Sequence, residues 1–167
     1  MYAKTYIETT LKELDQLYNQ ATSQKKTIYF SKLALIELCG WIEESVDDIL
    51  LRHSTRRLKV VSNREYYREK VVEPNYGFQY KKNIRPMLIG AIGIVGVEKF
   101  EKKLEKKSQV TLLKTYLGNL REDRNQAAHT HLKGITRRYN APSHVIGDYR
   151  RISTVLDNFD VELRKIN

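Results

Sequence analysis

This sequence predicts an all-α fold, an up-and-down bundle of four principal helices with one or two short ones, and three observations carry that prediction. Apolar residues recur at three- and four-residue steps in separate segments, the period of a helix that buries one face. Only three Pro and eight Gly interrupt the chain. Hydrophobic residues make up 41% and charged residues 30% of 167 positions, enough for one substantial core and too short a chain for two ordinary domains. A single domain over residues 1–167 is therefore expected.

Each element has its own justification. From about Thr5 to Ala21 the apolar positions Ile7, Leu11, Leu14, Leu17, Tyr18 and Ala21 share one helical face, and the polar stretch Thr22 to Thr27 ends it. A longer helix from about Tyr29 to Arg52 carries Leu33, Ile36, Leu38, Cys39, Ile42, Val46, Ile49 and Leu50 on more than one face, which suits a central position in the bundle. Residues 53–84 are expected to form a basic, partly irregular insertion, because the tyrosine-bearing NREYYREK gives way to VVEPNYGFQY with its Pro and Gly. Pro86 suits the first turn of a further helix, where glycines at 90, 93 and 96 predict a break or very close packing and hence two short helices. Ser108 is placed to cap the next helix, whose Val110, Leu113, Leu117, Leu120, Arg124, Ala127 and Ala128 follow at helical steps until Gly134. Ser143 is placed to cap the last, with Val145, Tyr149, Ile152, Val155, Leu156, Phe159, Leu163 and Ile166 as its stripe.

Composition narrows the function classes. The lone Cys39 lies in an apolar run, so no intrachain disulfide can form and a reducing setting is favoured. Met87 to Val97 is too short and glycine-rich to cross a bilayer, and MYAKTYIETTLKEL lacks the apolar stretch of a secretory signal. A cytoplasmic protein without membrane contact is expected. A net charge of +10 favours polyanionic partners, nucleic acid ahead of an acidic protein or an anionic membrane surface. The charge is uneven. Glu37, Glu43, Glu44, Asp47 and Asp48 concentrate on the long helix, whereas Arg52, Arg56, Arg57, Lys59, Arg64, Arg68 and Lys70 follow it, and Arg121, Arg124, Lys133, Arg137, Arg138, Arg150 and Arg151 form a second basic cluster.

The stretch RNQAAH at positions 124–129 is the chemical focus. At 100° per residue Arg124 and His129 are offset by roughly 140°, so they are not a side-by-side pair, while Arg121, Asn125 and His129 share a face at four-residue steps. Arg124 itself falls on the stripe of Leu113, Leu117 and Leu120, where a charge is costly unless it is paired or used. A fixed cation with an imidazole that titrates near neutrality is the minimum equipment for cleaving RNA without a metal. One group removes the 2′-hydroxyl proton and the other stabilises charge on the phosphate. Without more, the same spacing also describes an arginine paired to an acid of the second helix and an ordinary helix-end histidine.

The motif Arg124-Asn125-Gln126-Ala127-Ala128-His129, followed by a loop, APSHV and a terminal helix, resembles the HEPN superfamily and its Arg-x4-6-His motif, most closely the RiboL-PSP-HEPN branch. The resemblance implies an all-α fold, a homodimer that brings two motifs into one cleft, and metal-independent endoribonuclease activity, in toxin or host-defence roles. Carried over, His129 would be the general base or acid, Arg124 would stabilise the phosphorane and Asn125 would orient one of them, leaving a 2′,3′-cyclic phosphate and a 5′-hydroxyl. An acid of the second helix, Glu37, Glu43, Glu44 or Asp47, would tune the arginine. Arg121, His131, Lys133, Arg137 and Arg138 would contact the RNA. A non-catalytic RNA-binding or partner-binding module of the same superfamily is the alternative. Apart from the resemblance, the positive charge also suits a helical interaction protein that serves an acidic partner, such as an inhibitory protein.

Other constellations weigh less. His129, His131 and His144 do not have metal-ligand spacing, and no metal or other cofactor is expected. Tyr66, Tyr67, Tyr76 and Tyr80, set among cations, suit either stacking on unpaired bases or packing of the insertion against the bundle. Trp41 marks core or dimer interface.

Overall fold

Apolar spacing and burial coincide in the long helices. The computed structural model describes residues 4–128 and 139–166, and among them there are six α-helices and no strand. α1 (Lys4–Asn19) buries Ile7, Leu11 and Leu14. α2 (Gln24–Arg57) buries residues from Ser31 to Ser54 on several faces and packs against α1, α5 and α6, the central position its width predicts. It begins earlier and ends later than the sequence suggests, because Ser23 accepts from the Lys26 N–H at its start and the Leu58 N–H bonds back to the Ser54 carbonyl at its end. α5 (Gln109–Ala128) and α6 (Pro142–Arg164) complete the bundle.

Two core contacts fix its centre. Trp41 of α2 meets Tyr149 of α6 edge-on at 5.0 Å between ring centroids, so it is a core residue. Phe100 of α4 (Arg85–Glu105) meets Phe159 of α6 in the same way at 4.9 Å. At one end, Asp160 is 7% exposed and accepts from Arg52 across the helix pair at 3.3 Å and from Arg164 one turn on at 3.0 Å. Burial pushes its carboxyl up, but the two arginines together hold it below the usual carboxylate range.

The insertion is more ordered than expected. α3 (Val61–Tyr67) runs into a π-helical turn at Arg68–Val72, and a second π-helical turn at Tyr80–Ile84 leads into α4. Tyr67 and Tyr80 are buried, whereas Tyr66 and Tyr76 are 65% and 86% exposed, so packing claims one pair of tyrosines and leaves the other to solvent. Buried Asn83 staples the loop between the turns: its amide nitrogen donates to Asn75 Oδ1 and to the Tyr76 carbonyl, both at 3.0 Å, and its oxygen accepts from the Gln79 N–H at 3.0 Å. The Tyr67 hydroxyl donates to the Met87 carbonyl at 2.9 Å and ties α3 to α4. Sequence periodicity misses this region because its order comes from such tertiary bonds.

α4 breaks as its glycines predict. Gly93 has φ 68° and ψ 165°, a combination essentially reserved for glycine, so two helical arms meet there, while Pro86 lies in the first turn. Two predicted caps differ. Ser108 precedes α5 with φ 53°, but Glu105 accepts from the Thr111 N–H at 3.1 Å in its place. α6 starts at Pro142 after Ala141 with no side-chain cap, which leaves Ser143 inside its first turn. Among the described residues no helix is long and apolar enough to cross a membrane.

Candidate functional site at the end of α5

The buried stripe of α5 is Leu113, Leu117, Leu120 and Ala127. Arg124, expected on that stripe at a cost, is exposed instead. Its backbone position does follow the helical period; the long side chain reaches water beyond the rim, so no buried charge has to be compensated. Arg121 is exposed as well and Asn125 is half-buried. His129, His131, Lys133, Arg137 and Arg138 lie outside the described residues.

Around Arg124 the helices α2 and α5 close over Cys39, whose thiol points at the Leu120 carbonyl, 3.9 Å away. Burial pushes that thiol up to about 12; the Arg124 cation acts against this, and Glu43 and then Asp123 add to it. The thiol therefore stays protonated and is no nucleophile. The same field places Arg124, Glu43 and Asp123 within electrostatic reach of one buried atom. Of the four acids proposed to tune the arginine, Glu43 is the one that shares this neighbourhood, yet Arg124 forms no ion pair among the described residues. Glu43 accepts instead from the Gly77 N–H. Asp47, one turn further along α2, bears on Tyr67 of the insertion.

Two groups that sequence reasoning passed over stand here. Asp123 precedes the motif arginine directly, and Asp148 of α6 is half-buried, its carboxyl pushed up by burial against the pull of Arg151 and His144, with Asp123 adding to the rise. The spacing His144 to Asp148, one turn of helix, was the available signal. On the far side of the motif, the Tyr139 hydroxyl donates to the Gln126 carbonyl at 3.2 Å, and the Lys32 ammonium lies 6.0 Å from its ring centroid. Tyr139 is thus held against the last turn of α5.

Among the described residues no group of three or more His, Cys, Asp or Glu stands close enough to hold a metal ion. The arrangement offers an exposed guanidinium with an amide beside it, and Glu43 and Asp123 share its surroundings at Cys39. Compared with protein-family models, with curated proteins and with solved structures, the chain has no match.

Proposed function

We propose that the chain is a metal-independent endoribonuclease of the HEPN type, acting as a homodimer on unpaired RNA. His129 serves as proton-transfer group, Arg124 as the cation on the attacked phosphate and Asn125 as the residue that orients them. The observation that carries this reading is Arg124 itself: a guanidinium free of ion pairs among the described residues, exposed at the end of α5 and five positions before His129. A guanidinium spared from structural use is available for bidentate contact with a phosphate. The net charge of +10 supports an RNA substrate, and Arg121, His131, Lys133, Arg137 and Arg138 extend the proposed contact along the strand.

The test is incubation of the purified protein with a labelled RNA oligonucleotide and its all-deoxy counterpart in excess EDTA, beside His129→Ala and Arg124→Ala. Cleavage of the RNA alone, a cyclic-phosphate product and a rate loss of roughly 10²–10⁴ in His129→Ala are the expected results. The carboxylates of Asp123 and Glu43, which share the surroundings of Cys39 with the arginine, favour a second reading, a non-catalytic module that binds RNA or a protein partner. Binding of RNA without cleavage by a folded dimer decides for that reading.

A further inference from the structure

Where the end of α1 meets the start of α2, Tyr18, Gln24, Thr27, Ile28, Ser31 and Tyr139 line an open hollow of about 250 Å³. This is below the roughly 300–1,000 Å³ of pockets that enclose a whole small molecule, so it has room for one ring system of a larger ligand. Its walls combine aromatic faces with hydrogen-bonding edges. Ser31 is 2% exposed and lines the hollow, so a small hydroxyl-bearing side chain forms part of its wall. Gln24 adds an amide able to donate and accept, and the Thr27 hydroxyl, which donates to the Gln24 carbonyl at 2.8 Å, keeps its lone pairs for a ligand. Tyr139 is braced by its bond to the Gln126 carbonyl and by Lys32.

We infer that this hollow receives one unpaired nucleobase of a bound RNA, stacked on the tyrosine rings with its polar edge toward Ser31 and Gln24. Stacking on tyrosine with hydrogen bonds to a splayed-out base is how single-stranded RNA is commonly held. The phosphate attached to that base finds the first turn of α2, where exposed Lys25 and Lys26 stand at the positive end of the helix with no acidic residue in the turn. Because Tyr139 is bonded to Gln126, a residue of the motif itself, a base in the hollow places its neighbours along the strand close to Arg124. The inference rests on the RNA reading of the motif and adds to it a site for one base outside the cleavage residues.

Anisotropy titrations with a short labelled RNA test it, together with photo-crosslinking of the same RNA carrying 4-thiouridine. The proposal expects crosslinks on Tyr18 or Tyr139, a roughly tenfold loss of affinity in Tyr139→Leu, and near-natural affinity in Tyr139→Phe. Ser31→Val, which removes the hydroxyl and fills space, is expected to weaken binding too, and an abasic nucleotide at the crosslinked position is expected to cost natural protein about what Tyr139→Leu costs, without adding to it. RNA bound with unchanged affinity by folded Tyr139→Leu and Ser31→Val, and crosslinked elsewhere, overturns the base site while leaving the RNA reading in place. No RNA binding by the natural protein overturns both.

Discussion

The backbone N–H of Gly77 donates to the Glu43 carboxylate, so the middle of α2 holds the tip of the insertion. Gly77 sits at φ 114°, a conformation few other residues adopt, which makes this junction hard to rebuild around a different side chain. A charge-assisted bond of this kind stabilises by about 1–3 kcal/mol. Glu43→Ala is expected to lower stability by that order in urea denaturation and to speed hydrogen exchange at Gly77, whereas Glu43→Gln, which keeps an acceptor, loses less. Equal loss in both variants would mean that charge rather than this bond is what matters.

Asp47 and His53 give the pH dependence of stability two opposing parts. Burial, reinforced by Glu44 and then Glu43, pushes the Asp47 carboxyl up from 3.8 to about 7. The folded state therefore binds the extra proton between those values, and the contribution is fully present below pH 3.8 and lost as pH rises through 7. Burial, with Arg56 and Arg57 adding to it, pushes the His53 imidazole down from 6.5 to about 4, so its contribution is present above pH 6.5 and lost as pH falls toward 4. Asp47→Asn is expected to stabilise by about 1–2 kcal/mol at pH 8, less than the full shift implies because the carboxylate keeps some contact with water, and to be neutral near pH 3.5. Thermal melts across that range read the difference. With Asp47 neutralised, stability between pH 4 and 6.5 is expected to rise with pH, as His53 requires.

Arg124 and Leu120, one turn apart on α5, are expected to respond oppositely to truncation. Arg124 is exposed, so Arg124→Ala is expected to change stability by no more than about 0.5 kcal/mol. Leu120 is 6% exposed and packs in the core, so Leu120→Ala is expected to cost about 2–5 kcal/mol. Chemical denaturation of the two checks both. A large loss in Arg124→Ala would reveal a structural role for the guanidinium and remove the ground for reading it as reserved for a ligand.

Periodicity made most of the bundle legible. Ile7, Leu11 and Leu14, or Val145, Tyr149 and Ile152, repeat at helical steps, and a bundle needs little more than that repeat to place a helix. The insertion hid its order because Gly77 and Tyr67 are fixed by partners distant in sequence, Asn83 staples its own loop through polar bonds, and π-helical turns have no apolar repeat to read. At the site, the motif was visible as a string of residues, but the exposure of Arg124 was not, since a 100° rule places a backbone atom and says nothing of how far a long side chain extends. The nearness of Glu43, Asp123 and Asp148 depends on how α2, α5 and α6 cross.

The break at Gly93 divides labour within one stretch of chain. The arm before it answers to the insertion, since a side chain at Gly90 would meet Val71 at 3.1 Å and Tyr67 at 3.3 Å. The arm after it answers to the bundle, through Phe100 against Phe159. Glu101, on the second arm, spans the break: it accepts from the Tyr80 hydroxyl of the insertion and from Arg85 of the first arm, both at 3.0 Å. The kink therefore turns one stretch of chain into a corner brace, with a single carboxylate clasping both sides of the bend.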